Sequence, residues 1–276
     1  LKLEVGVSLD EATRRLADAG IENPRAEARL LLAHVLGISR DQTLTATPTP
    51  PQAEHFAALV TRRVGHEPFA YITGHKEFWS HDLEVGPGVL VPRPDTETLI
   101  EEALRVAPDR NAPLKIADLG TGSGAILIAA LTEFPNATGI GFEFSAEAFR
   151  WASGNAARLI GPRAQITLAD WNSAQGPFDL IFSNPPYIAS RDIESLMPDV
   201  SGFEPRAALD GGPDGLDAYR GLAELLPRLL VSGGHALLEI GLGQAGAMAC
   251  LFPGLQLLRI APDLAGVPRC VILRKA

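Results

Sequence analysis

The apolar positions along this chain change their spacing twice, and each change marks a boundary between kinds of structure. From Ser8 to about residue 72 the spacing is helical. Ser8, with Glu11 three residues on, reads as a capping box, after which Leu9, Ala12, Leu16 and Ala19 recur at one-turn intervals until Gly20 stops the run. Asn23-Pro24 opens a second helix that carries Ala26, Leu30, Leu31, Ala33, Val35 and Leu36 and ends at Gly37. The segment Thr47-Pro48-Thr49-Pro50-Pro51 is a rigid break, because each proline fixes its own φ, and an amphipathic helix follows from about Gln52 to Val64. These elements predict a small α-helical bundle.

From residue 78 to 91 apolar and polar residues alternate around Gly86-Pro87-Gly88, which predicts a β-hairpin linking two domains. After Pro94 strand and helix patterns take turns. Strands are expected near residues 115–119, 138–143, 165–168, 178–183, 235–240, 255–260 and 269–273, with helices such as 124–134 and 146–160 between them. Such alternation predicts an α/β domain with a mostly parallel, Rossmann-like sheet of seven strands, covered on both faces, with ligands beyond the carboxyl ends of the strands. The last two strands share a short connection and are expected to pair antiparallel. The expected organisation is therefore a helical domain over residues 1–73, a hairpin linker over 74–92 and a catalytic domain over 93–276.

Composition narrows the range of functions. Of 276 residues, 46% are hydrophobic and 21% charged, an ordinary balance for a chain that buries a core. The net charge is −9, and neither the helical nor the α/β part is basic, so tight sequence-independent binding of nucleic acid is disfavoured. Cys250 and Cys270 have no metal-ligand spacing and read as packed thiols of a reducing compartment. The six histidines form no acid/base or ligand constellation, so no metal site is expected. No apolar run approaches the roughly 20 residues that span a bilayer, and the first residues lack a basic segment followed by an apolar core. A cytoplasmic protein without a membrane partner is expected.

The chemistry concentrates at two strand ends. Asp118-Leu119-Gly120-Thr121-Gly122-Ser123-Gly124 follows a strand and opens a helix, so its glycines allow a sharp turn and close approach of a ligand to free backbone N–H groups. The next strand ends at Glu143, 19 residues beyond Gly124, where a carboxylate can accept both hydroxyls of a ribose. This spacing does not choose between S-adenosylmethionine and a dinucleotide. Asp170-Trp171 follows the third strand, where an aromatic face could cap an adenine ring. The fourth strand runs into Asn184-Pro185-Pro186-Tyr187. Consecutive prolines stiffen this loop and remove donors, leaving the Asn184 side-chain oxygen and the Pro185 carbonyl as acceptors, with Tyr187 to pack on a planar group. That arrangement suits an amide or aromatic amino nitrogen, whose delocalised lone pair makes it a poor nucleophile unless both N–H bonds are held. Residues 93–97 are expected to close over the cofactor end of the site, with Asp95 or Thr96 also a helix cap, and residues 204–215 to be a loop and helix start near the pocket with a structural role.

With these motifs the chain resembles the HemK/PrmC family of protein-glutamine methyltransferases, which modify the Gln of the Gly-Gly-Gln loop in peptide chain release factors. The resemblance runs through Glu67-Pro68-Phe69-Ala70-Tyr71-Ile72-Thr73-Gly74, Glu77-Phe78-Trp79, Val91-Pro92-Arg93-Pro94-Asp95-Thr96-Glu97, the glycine loop, Asn184 to Tyr187, and the stretch from Phe203 to Leu216. It implies a seven-stranded S-adenosylmethionine-dependent methyltransferase domain preceded by a helical bundle that recognises substrate. It further implies that Gly120, Thr121, Gly122, Ser123, Gly124, Glu143, Trp171 and Asn184 contact S-adenosylmethionine, that Asn184, Pro185, Pro186 and Tyr187 bind the glutamine, and that Asn184, Pro185 and Tyr187 are catalytic. A shorter Asp is common in the family where this chain has Glu143, and either carboxylate can bind a ribose diol. The implied partner is a release factor as protein substrate, met by a monomer without direct nucleic-acid binding. A ribosomal-protein glutamine and an adenine amino group pose the same geometric problem and stand as alternative acceptors.

Overall fold

The computed structural model describes residues 7–276; residues 1–6, the start of the expected helical domain, lie outside the described residues. The chain forms two compact units, the first holding the chain up to Gly74 together with Met197–Phe203 and the second holding His75–Leu196 and Glu204–Ala276. Met197–Phe203 falls inside the range expected for the catalytic domain and groups with the helices instead.

In the first unit α1 (Leu9–Asp18), α2 (Pro24–Leu36), α3 (Pro50–Val64) and α4 (Phe69–Thr73) follow one another. Ser8 Oγ accepts the Glu11 N–H at 3.1 Å, half of the expected capping box. Pro50 and Pro51 prove to be the first turn of α3 rather than a break before it, since the first N–H groups of a helix need no partner within the helix, and Thr49 with Gln52 forms the capping box. Leu16, Leu31, Leu32, Phe56, Leu59 and Val60 form the core of the bundle. Buried Arg63 on α3 donates to both carboxylate oxygens of Glu27 on α2 at 2.6 and 3.2 Å and to the Glu67 carbonyl at 3.1 Å. Asp199, on the short helix α8 (Pro198–Ser201), lies 3.8 Å from the same guanidinium. One cation thus joins the distant segment to the bundle.

The second unit opens with a hairpin, β1 (His75–Phe78) and β2 (His81–Glu84). This corrects the sequence reading, which set the hairpin over residues 78–91 with its turn at Gly86-Pro87-Gly88. The turn is Trp79-Ser80, with both residues at positive φ (49° and 60°), an arrangement that usually calls for Asn or Gly. Tertiary hydrogen bonds hold Trp79 there: its backbone N–H donates to Glu97 at 2.8 Å and its indole N–H to Glu133 at 2.7 Å. The turn at Gly86-Pro87-Gly88 is there, with the Val89 N–H donating to the Gly86 carbonyl at 3.4 Å and Gly88 at φ 89°, but it joins no pair of strands; Gly86 also serves packing, because a Cβ at this position would lie 2.5 Å from the Trp151 ring.

After α5 (Glu97–Val106) come β3 (Lys115–Leu119), α6 (Ala125–Glu133), β4 (Thr138–Glu143), α7 (Ala146–Leu159), β5 (Ala164–Leu168), β6 (Phe178–Ser183), α9 (Asp217–Leu229), β7 (Leu230–Glu239), α10 (Ala245–Leu251), β8 (Gln256–Pro262) and β9 (Pro268–Arg274). The strands form one seven-stranded sheet in the order β5-β4-β3-β6-β7-β9-β8, in which β9 alone runs antiparallel to its neighbours. Helices α5, α6 and α7 pack on one face and α9 and α10 on the other. The strand order reverses between β3 and β6, which are hydrogen-bonded neighbours with Asp118 opposite Phe182. A crevice opens beyond their carboxyl ends, as expected at such a switch point. Ser183 Oγ closes the pairing by donating to the Leu119 carbonyl at 2.7 Å.

Removing one member of a buried ion pair leaves its partner uncompensated, so Arg63→Ala is expected to lower the stability of the intact chain by about 3 kcal/mol. Denaturant unfolding checks this, and a loss below about 1 kcal/mol would show that Glu27 finds water instead.

Candidate active site

Three loops that leave the carboxyl ends of β3, β4 and β6 converge on a cavity of about 590 Å³, within the size range of cofactor sites. The first is the glycine loop. Its Gly120 and Thr121 N–H groups both donate to the Phe142 carbonyl, at 2.9 and 3.0 Å, so the loop lies flat against β4. Gly141 makes that approach possible, since a Cβ there would come within 2.9 Å of Thr121 Oγ1. Gly120, Gly122 and Gly124 all have positive φ, which L side chains rarely adopt.

Glu143 ends β4 and is buried. One carboxylate oxygen accepts the Gly122 N–H and the other the Ser145 N–H, each at 2.9 Å. Burial pushes its carboxyl above the ordinary range while these N–H groups pull it back. Each oxygen keeps a further lone pair for a ligand hydroxyl. Trp171 packs on the glycine loop, its ring 3.1 Å from where a Gly120 Cβ would stand. Asp170 Oδ1 accepts from the Asn172 backbone and side-chain N–H groups at 2.7 Å, which steadies this turn. Fully buried Asn155 on α7 reaches the Ser123 carbonyl at 3.0 Å and pairs twice with the Glu84 backbone, tying the hairpin to the glycine loop.

Asn184 follows β6, and its Nδ2 donates to Thr96 Oγ1 at 3.3 Å. Neither Asn184 Oδ1 nor the Pro185 carbonyl accepts a hydrogen bond among the described residues, so both acceptors are open. Tyr187 turns its hydroxyl onto Glu239 at 3.1 Å, and burial beside that carboxylate pushes its pKa well above the usual phenol range.

Two family models match the chain: PrmC N-terminal domain over residues 8–74 and Methyltransferase small domain over residues 96–198. A release factor glutamine methyltransferase from Rhodospirillum rubrum is 46% identical over 99% of this chain and 86% of its own length. Another so named, from Caulobacter vibrioides, is 43% identical over 95% of this chain and 93% of its own. The chain belongs to the release factor glutamine methyltransferase family. The fold extends further: a ribosomal protein L11 methylase from Lactobacillus delbrueckii subsp. bulgaricus superposes with a TM-score of 0.50 at 20% identity, covering 70% of this chain and 86% of that one.

Of the residues this methyltransferase was expected to use, Gly120, Thr121, Gly122, Ser123, Glu143, Trp171, Asn184 and Pro186 line the cavity. Gly124, Pro185 and Tyr187 are not among its lining residues. Gly124 precedes α6, and its φ of 85° would strain an L side chain, whose Cβ would also stand 3.3 Å from Ile128 Cδ1. Arg93 and Thr96 line the cavity, in keeping with the closing role expected of 93–97. Thr96 precedes α5 but its side chain makes no capping bond. Its hydroxyl donates to Glu239 at 2.6 Å instead, which corrects the capping reading. Pro205, Ala207 and Ala208 also line the cavity, so the 204–215 loop is more than structural, and Glu204 holds it by accepting twice from Arg93, at 2.7 and 2.8 Å.

The sequence reading assigned no role to Asp118 or Glu239. Both are acids at or near the carboxyl end of a strand, directly after apolar residues (Ile116-Ala117 and Ala236-Leu237-Leu238), and that position is the available signal. Asp118 is fully buried, with Thr121 Oγ1 donating to Oδ2 at 2.6 Å and no partner of normal geometry for Oδ1. Burial pushes its carboxyl from 3.8 up to about 7, against the pull of the Thr121 hydroxyl.

A carboxyl whose pKa is higher in the folded state takes up a proton on folding between the two values. Its contribution to stability therefore falls as pH rises from 3.8 to about 7. Asp118→Asn removes that contribution. Unfolding curves at about pH 5 and about pH 8 are expected to show a smaller loss of stability toward the higher pH in the variant than in the parent chain. An unchanged difference would mean that Asp118 ionises normally.

Proposed function

We propose that this protein transfers the methyl group of S-adenosylmethionine to the side-chain amide nitrogen of the glutamine in the Gly-Gly-Gln loop of peptide chain release factors. The pair of open acceptors, Asn184 Oδ1 and the Pro185 carbonyl, carries this reading, because a primary amide offers two N–H donors in one plane and needs two acceptors. The relatives' shared name, release factor glutamine methyltransferase, supports the same acceptor.

The residues fit the cofactor. The remaining lone pairs of Glu143 suit a ribose diol, the glycine loop allows close approach with open space at Gly122, and Trp171 offers a face to an adenine. When bound, S-adenosylmethionine supplies a methyl group on a positively charged sulfur. The chain's part is orientation. Asn184 and Pro185 hold both N–H bonds of the incoming amide and so turn its nitrogen toward the glycine loop. As the nitrogen takes on positive charge in the transition state, its N–H groups become stronger donors, and the two acceptors stabilise that state more than the ground state. No base is needed beforehand, since the proton is lost from the product nitrogen, which is acidic while it carries the charge. The apolar lining keeps water from the reacting centre.

The helical unit carries none of these groups. A single glutamine side chain offers too little surface to single out one protein, so recognition of the release factor falls to residues 1–73. No helix of the described residues is long and apolar enough to cross a membrane, and the reading is of a cytoplasmic monomer acting on a protein, without nucleic acid.

The test is methylation with labelled S-adenosylmethionine of an intact release factor and of a short Gly-Gly-Gln peptide, followed by mapping of the label. The expected result is label on that glutamine, appearing faster on the intact factor. Label confined to a ribosomal protein or to adenine would overturn the proposal, and equal rates on factor and peptide would remove the recognition role. Asn184→Ala is expected to lower kcat about 100- to 1,000-fold with little change in cofactor affinity. Near-normal turnover would leave Asn184 with a structural part only.

A further inference from the structure

The Asn184 amide acts only if its oxygen, and not its nitrogen, faces the substrate, because a substrate N–H needs an acceptor. Asparagine is nearly symmetrical about this choice, and something in the protein must make it. The buried polar cluster behind the cavity does so. Thr96 sits between Asn184 and Glu239, with 3.3 Å from Asn184 Nδ2 to Thr96 Oγ1 and 2.6 Å from Thr96 Oγ1 to Glu239 Oε2. An ionised carboxylate only accepts hydrogen bonds. The Thr96 proton is therefore committed to Glu239, and toward Asn184 the hydroxyl has only lone pairs to offer. Those lone pairs take Nδ2, and Oδ1 is left for the cavity.

We propose that Glu239 is a positioning residue for methyl transfer: through Thr96 it sets which end of the Asn184 amide faces the substrate, and through the Tyr187 hydroxyl it fixes the end of the same loop. The inference rests on the reading of Asn184 given above. Three observations support it. The Glu239 side chain is almost completely buried, where a carboxylate without a role is rare. Its two oxygens are divided between the two sides of the site, Oε2 to Thr96 from the segment before α5 and Oε1 to Tyr187 at 3.1 Å. Thr96 also closes the 3-10 turn Pro94–Thr96 that runs directly into α5, and its helical backbone aims the hydroxyl at Glu239 rather than at the helix's own N–H groups. Arg269, whose guanidinium donates to the Ile240 carbonyl at 3.2 Å and pairs with Asp263 and Asp95, places positive charge beside the cluster; with the Thr96 and Tyr187 hydroxyls it opposes burial, which on balance still raises the Glu239 carboxyl above its ordinary value.

The test compares Glu239→Gln, Thr96→Val, Thr96→Ser and the double variant Thr96→Val/Glu239→Gln in the intact chain. A glutamine at 239 can donate as well as accept, so the direction of the relay is lost with little change in volume. Thr96→Val keeps the shape and removes the hydroxyl. Each is expected to lower kcat on the release factor about 10- to 100-fold, with KM and the calorimetric affinity for S-adenosylmethionine within about threefold of the parent. Thr96→Ser recovers most of what Thr96→Val loses. The double variant is expected to be no slower than the worse single one, because both break one chain of bonds. Parent-level kcat in Glu239→Gln, multiplying losses in the double variant, or cofactor affinity falling in step with kcat would each overturn the proposal. If Glu239→Gln does not fold, the two Thr96 variants decide, and equal turnover in the two rejects the relay. Turnover of the parent chain on the release factor tests the functional reading itself, so the two failures are distinguishable.

Discussion

A carboxylate taken out of water must be met by donors, and in this protein three such groups organise the loops that matter. Asp118 near the end of β3, Glu143 at the end of β4 and Glu239 at the end of β7 are all buried. Each draws its donors from a neighbouring loop: Thr121 for Asp118, the Gly122 and Ser145 N–H groups for Glu143, and Thr96 with Tyr187 for Glu239. Leaving a buried carboxyl without donors costs several kcal/mol or makes it take up a proton, toward which burial pushes Asp118, so these bonds favour one arrangement of each loop. The strand ends are the rigid part, and the loops are fitted to them.

This explains why a flexible glycine-rich segment can form a defined site. Gly120, Gly122 and Gly124 allow conformations that other residues resist, but freedom alone gives no geometry. The Phe142 carbonyl and the Glu143 carboxylate supply it by taking three successive N–H groups of the loop. Gly141, with no side chain to stand in the way, lets the loop come that close. Asn155 repeats the strategy from the helix side, one buried amide joining α7, the hairpin and the glycine loop through three backbone bonds. The two units also differ in what they bury. The helical unit closes around apolar side chains and the ion-paired Arg63, whereas in the α/β unit three buried acids, Asp118, Glu143 and Glu239, stand at the carboxyl ends of strands.

The main elements were legible in the sequence because their signals are local. A strand buried on both faces reads as an apolar run, as at residues 178–183, and the expected limits of β3, β4 and β6 coincide with those of the structure. Gly37 ends α2 in the left-handed conformation that the sequence reading assumes, and Pro24 begins it. The hairpin is misplaced in the sequence reading because its turn residues, Trp79 and Ser80, carry no local preference for positive φ, while Gly86-Pro87-Gly88 forms the turn its residues predict but joins no strands and packs against α7. The bonds from Trp79 to Glu97 and Glu133 span 18 and 54 residues, and no window of sequence contains them.

The same division runs through the site. Sequence alone determined the glycine loop, the acid that ends the following strand and the rigid proline pair after Asn184, since each depends on neighbours within a few residues and on the strand just before it. Only the tertiary structure decided that Asn184 stands beside the glycine loop, because that follows from β3 and β6 pairing across 64 residues of chain. It alone decided that Thr96, in a position to cap a helix, turns to Glu239, 143 residues away. The physical reason is that conformational preference is a property of adjacent residues, whereas burial of a charge is a property of everything that surrounds it, and what surrounds Glu239 is assembled from segments that meet only when the sheet has formed.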